Sequence, residues 1–196
     1  MSELGLHLSK HQLKLVLKLT TKFDLDVSKV TYSSGRSLIF RKYDKVYQIY
    51  LSDKLFNKVV FNLTLLSDVV GIIKYYNIYE KLNTIVYEYV DPIYNIHDNS
   101  INISGTGGSS GTGGGPDSFY ADIDNILSSL AMNRLVHGDF CCDNIGYSQI
   151  QNRYVVYDLE TARYTRWGDE ELDRNRFKKS VKFCSQPVFR SIQVDV

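Results

Sequence analysis

The chain has 196 residues, 43% of them hydrophobic, and a formal net charge of +1. This content suffices for one globular domain, with room for two lobes, while the near-zero charge argues against a general nucleic-acid binder. No apolar run approaches the roughly 20 residues that cross a bilayer, Met1-Ser-Glu-Leu-Gly5 has no secretory apolar core, and Cys141, Cys142 and Cys184 lack zinc or disulfide-framework spacing, so a cytoplasmic protein is expected.

Residues 9–22 read two ways. Leu13, Leu15, Leu17 and Leu19 alternate as in a strand, while Leu13, Val16 and Leu17 share a helical face. Ser9 as an N-cap favours the helix. Short strands follow at 30–32, 37–42 and 46–51, with turns at Ser33-Ser-Gly35 and Tyr43-Asp-Lys45. Residues 54–68 read as an amphipathic helix carrying Leu55, Val59, Phe61, Leu63, Leu65 and Leu66. Two more strands are expected around 72–78 and 84–90.

The tract 104–115 holds seven of the thirteen glycines and reads as a flexible coil, either an engineered join or a native low-complexity loop. It lacks the Lys-Ser/Thr ending of a phosphate-binding loop. Beyond it, 117–130 reads as a helix with Phe119, Ile123, Ile126, Leu127 and Leu130 inward. The stretch 169–183 reads as a polar, solvated helix, acids first and bases last, packing only a few side chains such as Leu172 and Phe177.

Chemistry concentrates in Leu135-Val-His-Gly-Asp-Phe-Cys-Cys-Asp-Asn-Ile-Gly-Tyr147, followed by Val155-Val-Tyr-Asp-Leu-Glu160. His137, Gly138, Asp139 and Asn144 form an HGDxxxxN loop, and a short apolar strand then delivers Asp158. Phosphoryl transfer from a nucleotide uses such parts: one carboxylate orients the acceptor hydroxyl, and an Asn with a second Asp holds Mg²⁺ against the phosphates. The bland alternative is a surface turn rich in Asp and Asn. Asp139 and Asp143 disfavour a thiolate at Cys141 or Cys142, which read as packing residues. Trp167 reads as a substrate contact or a core anchor.

These residues resemble the catalytic and metal-binding loops of the protein-kinase-like superfamily, in the HGD spelling of aminoglycoside phosphotransferases, choline kinases, lipopolysaccharide-core kinases and the small kinase of the KEOPS complex. The resemblance implies an α+β, two-lobed kinase-like fold with a small antiparallel-sheet lobe and a truncated helical lobe. Residues 1–91 would form the N-terminal helix, small lobe and hinge, 92–116 a hinge extension and linker, and 117–196 a minimal large lobe. It implies ATP and Mg²⁺, with Asp139 as the catalytic carboxylate, Asn144 and Asp158 on the metal, and backbone groups from Glu88 to Val90 on the adenine edge. The implied activity is transfer of the ATP γ-phosphate to a hydroxyl of a small molecule or protein.

The chain departs from that family in three places. Gln48 stands where the family has a phosphate-binding Lys, and the following helix has no Glu to pair with one. A neutral amide supplies no charge, so Arg41, Lys42, Lys45 or Lys54 is considered as a substitute; Gln48 is either native or a deliberate inactivating change. The turn at Ser34, Gly35 and Arg36 has one glycine where the family has several, and is either a phosphate cradle or a plain hairpin turn. Only 38 residues follow Asp158, too few for a protein-kinase peptide platform, which favours a small acceptor or a protein partner that completes the fold. The alternative function is therefore a pseudokinase acting as a protein-binding scaffold or nucleotide-sensing module.

Overall fold

A computed structural model describes residues 10–26, 29–33, 35–95, 100–101, 116–169 and 171–184. The fold is mixed α+β; among the described residues the paired strands run antiparallel, and a single parallel bridge joins Ile72 to Val156. The chain divides into two compact units, one within 1–68 and 73–89 and the other within 69–72 and 90–196. Among the described residues no helix is long and apolar enough to cross a membrane. Ser9 and the glycine tract 104–115 lie outside the described residues.

The first unit opens with helix α1 (Lys10–Phe23). Its buried face is Val16 and Leu19, whereas Leu17 is 45% exposed, so the inward stripe is turned relative to the one expected from sequence. Strands β1 (Val30–Ser33), β2 (Ser37–Lys42), β3 (Lys45–Tyr50), β4 (Tyr75–Tyr79) and β5 (Thr84–Glu88) form one sheet in the order β1-β2-β3-β5-β4. The β2–β3 hairpin closes through two residues, and Tyr43 takes the left-handed conformation (φ 57°) that such tight turns require. Leu38, Phe40 and Ile49 meet Val16, Leu19, Leu25 and Leu82 in one core. Helix α2 (Asp53–Leu65) buries Phe56, Val59, Asn62 and Leu63. Phe61, expected on that face, is 62% exposed.

The second unit is built on helix α3 (Pro116–Met132), which buries Phe119, Ile123, Ile126, Leu127 and Leu130 as their spacing predicts. Each such side chain contributes roughly 1.5–3 kcal/mol on leaving water. Strand β6 (Asp91–Pro92) joins β10 (Ile145–Ser148) and β11 (Arg153–Val156) in the order β11-β10-β6. Two small ribbons pair β7 (Tyr94–Asn95) with β8 (Ser100–Ile101), and β9 (Leu135–Val136) with β12 (Arg163–Tyr164). Asp122 on α3 accepts the Tyr154 N–H at 2.9 Å and pairs with Arg153, which pins the helix to β11. Helix α4 (Leu172–Cys184) closes the unit. Its Phe177 packs between Phe119 and Phe140, with ring centroids 6.0 and 5.9 Å away, as expected of the few apolar side chains on this polar helix.

Candidate functional site

Antiparallel pairing of β10 and β11 brings together the chain that enters the first strand and the chain that leaves the second. Ile145 stands opposite Val156, and one step beyond the ladder the Tyr157 N–H donates to the Asn144 carbonyl at 2.9 Å. Asn144 and the Tyr157-Asp158 pair therefore emerge at the same end of one hairpin, although distant in sequence. Asn144 is buried and Asp158 is exposed. Asp158 holds φ 58° and ψ 68°, a left-handed conformation that costs a non-glycine residue about 1–2 kcal/mol. Such outliers persist where the surroundings enforce them.

His137 connects this end to Asp139. Its Nε2 lies 2.9 Å from the Tyr157 carbonyl, which needs a donor, and its Nδ1 lies 3.3 Å from the Asp139 backbone N–H, which needs an acceptor. Both partners are satisfied only by a neutral ring with its proton on Nε2. Burial lowers the His137 pKa below its ordinary value, outweighing Asp173, the Tyr157 carbonyl, Asp158 and Asp139, which all raise it.

Asn144 completes the circuit. Its Nδ2 donates to the Asp139 carbonyl at 2.9 Å and to Asp139 Oδ2 at 3.3 Å. The hydrogen bonds thus run from Asp139 through His137, Tyr157 and Asn144 back to Asp139, a closed ring. With the Asn144 amide hydrogens so engaged, its Oδ1 is the group that can serve a hard cation. The Asn144 amide oxygen and the Asp158 carboxylate are hard oxygen donors of the kind that would suit Mg²⁺.

The loop backbone is held from α4. Asp173 is buried, and its Oδ2 accepts the His137 N–H at 2.7 Å while Oδ1 accepts the Gly138 N–H at 2.8 Å. Ser180 Oγ accepts the Cys142 N–H at 3.2 Å, and Thr161 Oγ1 donates to the His137 carbonyl at 2.8 Å. Gly138 sits at φ 82°, where a Cβ would come within 2.8 Å of the Thr161 carbonyl oxygen, so the middle position of the HGD sequence admits only glycine without distortion. On the same face of α4 as Asp173 and Ser180, Arg176 Nη1 reaches Asp139 Oδ1 at 2.7 Å. The two side chains are 48% and 42% exposed, and an ion pair so exposed is worth only about 0–1 kcal/mol.

Neither Asp173 nor Arg176 was legible as a site residue. The acids of 169–183 are expected in solvent at a helix start; Asp173 is instead a buried brace that accepts two backbone N–H groups 35 and 36 residues earlier. The only local signal is the spacing of Asp173, Arg176, Phe177 and Ser180 along one helical face. Cys141 behaves as expected. Burial first, then Asp139 and Asp143, push its thiol up to about 11. Trp167 is fully exposed, which removes the core-anchor reading; it lines a cavity of about 570 Å³ with Ala131, Arg134 and Arg174.

The expected nucleotide residues of the first unit are differently disposed. Ser34 lies outside the described residues. Gly35 and Arg36 are exposed, Gly35 has ordinary φ and open space around its Cα, and the Arg36 carbonyl accepts the Leu51 N–H at 2.9 Å. No feature of the backbone there demands a glycine. Gln48 Nε2 donates to Ser37 Oγ at 3.3 Å. The Glu88 carboxylate is buried and accepts the Lys74 N–H at 2.7 Å. The Glu88 N–H donates to the Lys74 carbonyl and the Tyr89 N–H to the Asp44 carbonyl, so these two backbone donors are already engaged; Val90 is buried.

Three of the four cations considered as substitutes for a lysine at position 48 are also engaged. Lys42 Nζ donates to the Phe23 and Asp24 carbonyls at the end of α1, the Arg41 guanidinium stacks 3.4 Å from the Tyr89 ring centroid, and Lys45 lies over Tyr76. Lys54 is exposed in the first turn of α2. No family model matches this sequence, and a comparison with curated proteins finds no match.

Proposed function

We propose that the chain is a divergent, two-lobed kinase-like phosphotransferase that moves the γ-phosphoryl group of ATP to a hydroxyl acceptor with Mg²⁺. The observation that carries this reading is the closed hydrogen-bond ring joining Asp139, His137, Tyr157 and Asn144. A solvated Asp/Asn turn has no need of a fully buried neutral imidazole, whose desolvation is unfavourable unless both nitrogens are paired. Here both are paired, and the effect is to fix the Asp139 backbone and the residue before Asp158 relative to each other.

In this reading Asp139 orients the acceptor hydroxyl and takes its proton as the acceptor oxygen bonds to phosphorus. The bond from phosphorus to the β-phosphate oxygen breaks, and ADP leaves with that electron pair. Asn144 Oδ1 and the Asp158 carboxylate would hold Mg²⁺, which neutralises phosphate charge. His137 keeps its single proton on Nε2 and transfers none. Asp173 fixes the loop from behind.

Thermal unfolding with and without MgATP tests the proposal. Saturating nucleotide at 100 times its Kd should stabilise the fold by about 2.7 kcal/mol if it binds only the folded state. Asp158→Ala should remove the Mg²⁺-dependent part. An unchanged melting curve in the wild-type protein would reject the nucleotide site.

A second reading, a binding module with little or no turnover, is supported by one observation. Gln48 is neutral and tied to Ser37, and Arg41, Lys42 and Lys45 are committed elsewhere in the first unit. Gln48→Lys discriminates: a dormant kinase gains activity, whereas a scaffold keeps its partner binding and gains none.

A further inference from the structure

The geometry points to Arg176 as the cation that meets the γ-phosphate, in place of the lysine that the chain lacks at position 48. The inference rests on the phosphotransferase reading. A phosphoryl group in transit needs positive charge around its equatorial oxygens, and an arginine so placed accelerates transfer by 10³–10⁵-fold in other phosphoryl-transfer enzymes. In the first unit, three candidate cations are held by carbonyl oxygens or aromatic rings. In the second unit, Arg176 stands directly against the carboxylate assigned to the acceptor, with Nη1 at 2.7 Å from Asp139 Oδ1.

Three features of that contact favour a phosphate ligand over a structural pair. First, the helix that carries Arg176 is registered against the loop by Asp173 on the His137 and Gly138 N–H groups and by Ser180 on the Cys142 N–H. The side chain is therefore delivered to Asp139 by a fixed support, not by a wandering segment. Second, the pair is about half exposed on both sides, so its own attraction is weak and a doubly charged phosphate oxygen set competes with it at little cost. Third, a guanidinium has five N–H donors in a planar fork, so contact with one Asp139 oxygen leaves the others for phosphate, the anion whose geometry the fork matches.

In this reading the acceptor oxygen would sit within hydrogen-bond reach of Asp139 and the phosphorus would bond to that oxygen, so a guanidinium touching Asp139 stands two hydrogen bonds and one P–O bond from the transferring group. As the P–O bond to ADP breaks and the bond to the acceptor oxygen forms, the acceptor proton passes to Asp139. Arg176 exchanges no proton; it holds charge while that occurs. The device predicts preference for a nucleotide that has a γ-phosphate over one that lacks it.

Calorimetric titration with MgATP and MgADP tests this on the full chain, using wild type, Arg176→Gln, Arg176→Lys and the neighbouring Arg174→Gln. Arg174 pairs with Asp124 on α3 and serves as the control. The expected result is that wild type and Arg174→Gln favour MgATP over MgADP, that Arg176→Gln loses this preference by about tenfold with MgADP affinity intact, and that Arg176→Lys restores part of it. Both nucleotides binding to Arg176→Gln in the wild-type ratio would overturn the assignment while leaving the nucleotide site standing. Tighter MgATP binding by Arg176→Gln would overturn it in favour of a blocking role for the ion pair. Failure of wild type to bind either nucleotide would reject the phosphotransferase reading itself, and the role of Arg176 with it.

Discussion

Asp173 Oδ2 accepts the backbone N–H of His137 at 2.7 Å across 36 residues of sequence. The contact is reinforced by Oδ1 on the Gly138 N–H, so a single carboxylate from the first turn of α4 satisfies two consecutive donors in the turn that presents Asp139. Loop and helix are one mechanical piece. Whatever the loop does chemically depends on a residue that lies beyond both halves of the motif.

Replacing Asp173 should therefore cost both stability and site geometry. Asp173→Ala leaves two backbone N–H groups without their acceptor and removes charge-assisted hydrogen bonds, a loss of about 2–4 kcal/mol. Urea unfolding measures it. A change under 0.5 kcal/mol would show that water replaces the carboxylate freely.

Stability should fall with acidity through His137. Its folded pKa lies below the ordinary value of 6.5, so between those two values the unfolded chain binds more protons than the folded one. The stabilisation is complete above about pH 6.5 and is lost as pH falls towards the folded pKa, at up to about 1.4 kcal/mol per pH unit. His137→Gln cannot titrate. The gap in urea midpoint between the two proteins should narrow from pH 7.5 to pH 5, and parallel profiles would contradict a buried neutral imidazole.

Asp158→Gly separates function from strain. Glycine adopts φ 58° without penalty, so the substitution should leave folding stability unchanged or raise it by about 0.5–1 kcal/mol. The same protein should show no Mg²⁺-dependent stabilisation by ATP. Retention of that effect would remove Asp158 from the metal site.

Cys141 should be a poor nucleophile. With its thiol pushed up to about 11 from an ordinary 9.0, the thiolate fraction at pH 8 is about a hundredfold below that of a free cysteine. Alkylation followed by mass spectrometry should find Cys141 at least that much slower in the folded protein than after denaturation. Equal rates would mean that the segment opens readily.

Elements with strong local signals were legible in the sequence. The helix over Phe119, Ile123, Ile126, Leu127 and Leu130 and the strands around the Tyr43 turn follow from periodicity and turn chemistry, which act over a few residues. The orientation of α1 and α2 was less so. Leu17 and Phe61 are as apolar as their buried neighbours, and only the packing partner decides which side of a broad stripe is covered.

The sequence by itself determined which residue types stand in the HGD loop, Asn144 and Asp158, because a motif is a matter of spacing. The tertiary structure alone decided how they are joined. The neutral state of His137 comes from its complete burial, the alignment of Asn144 with Tyr157 from hairpin register, and the recruitment of Asp173 and Arg176 from the docking of α4 through Phe177. Hydrogen bonds between residues 35 to 37 positions apart leave no local trace in composition, since they exist only after the apolar core has set the distances.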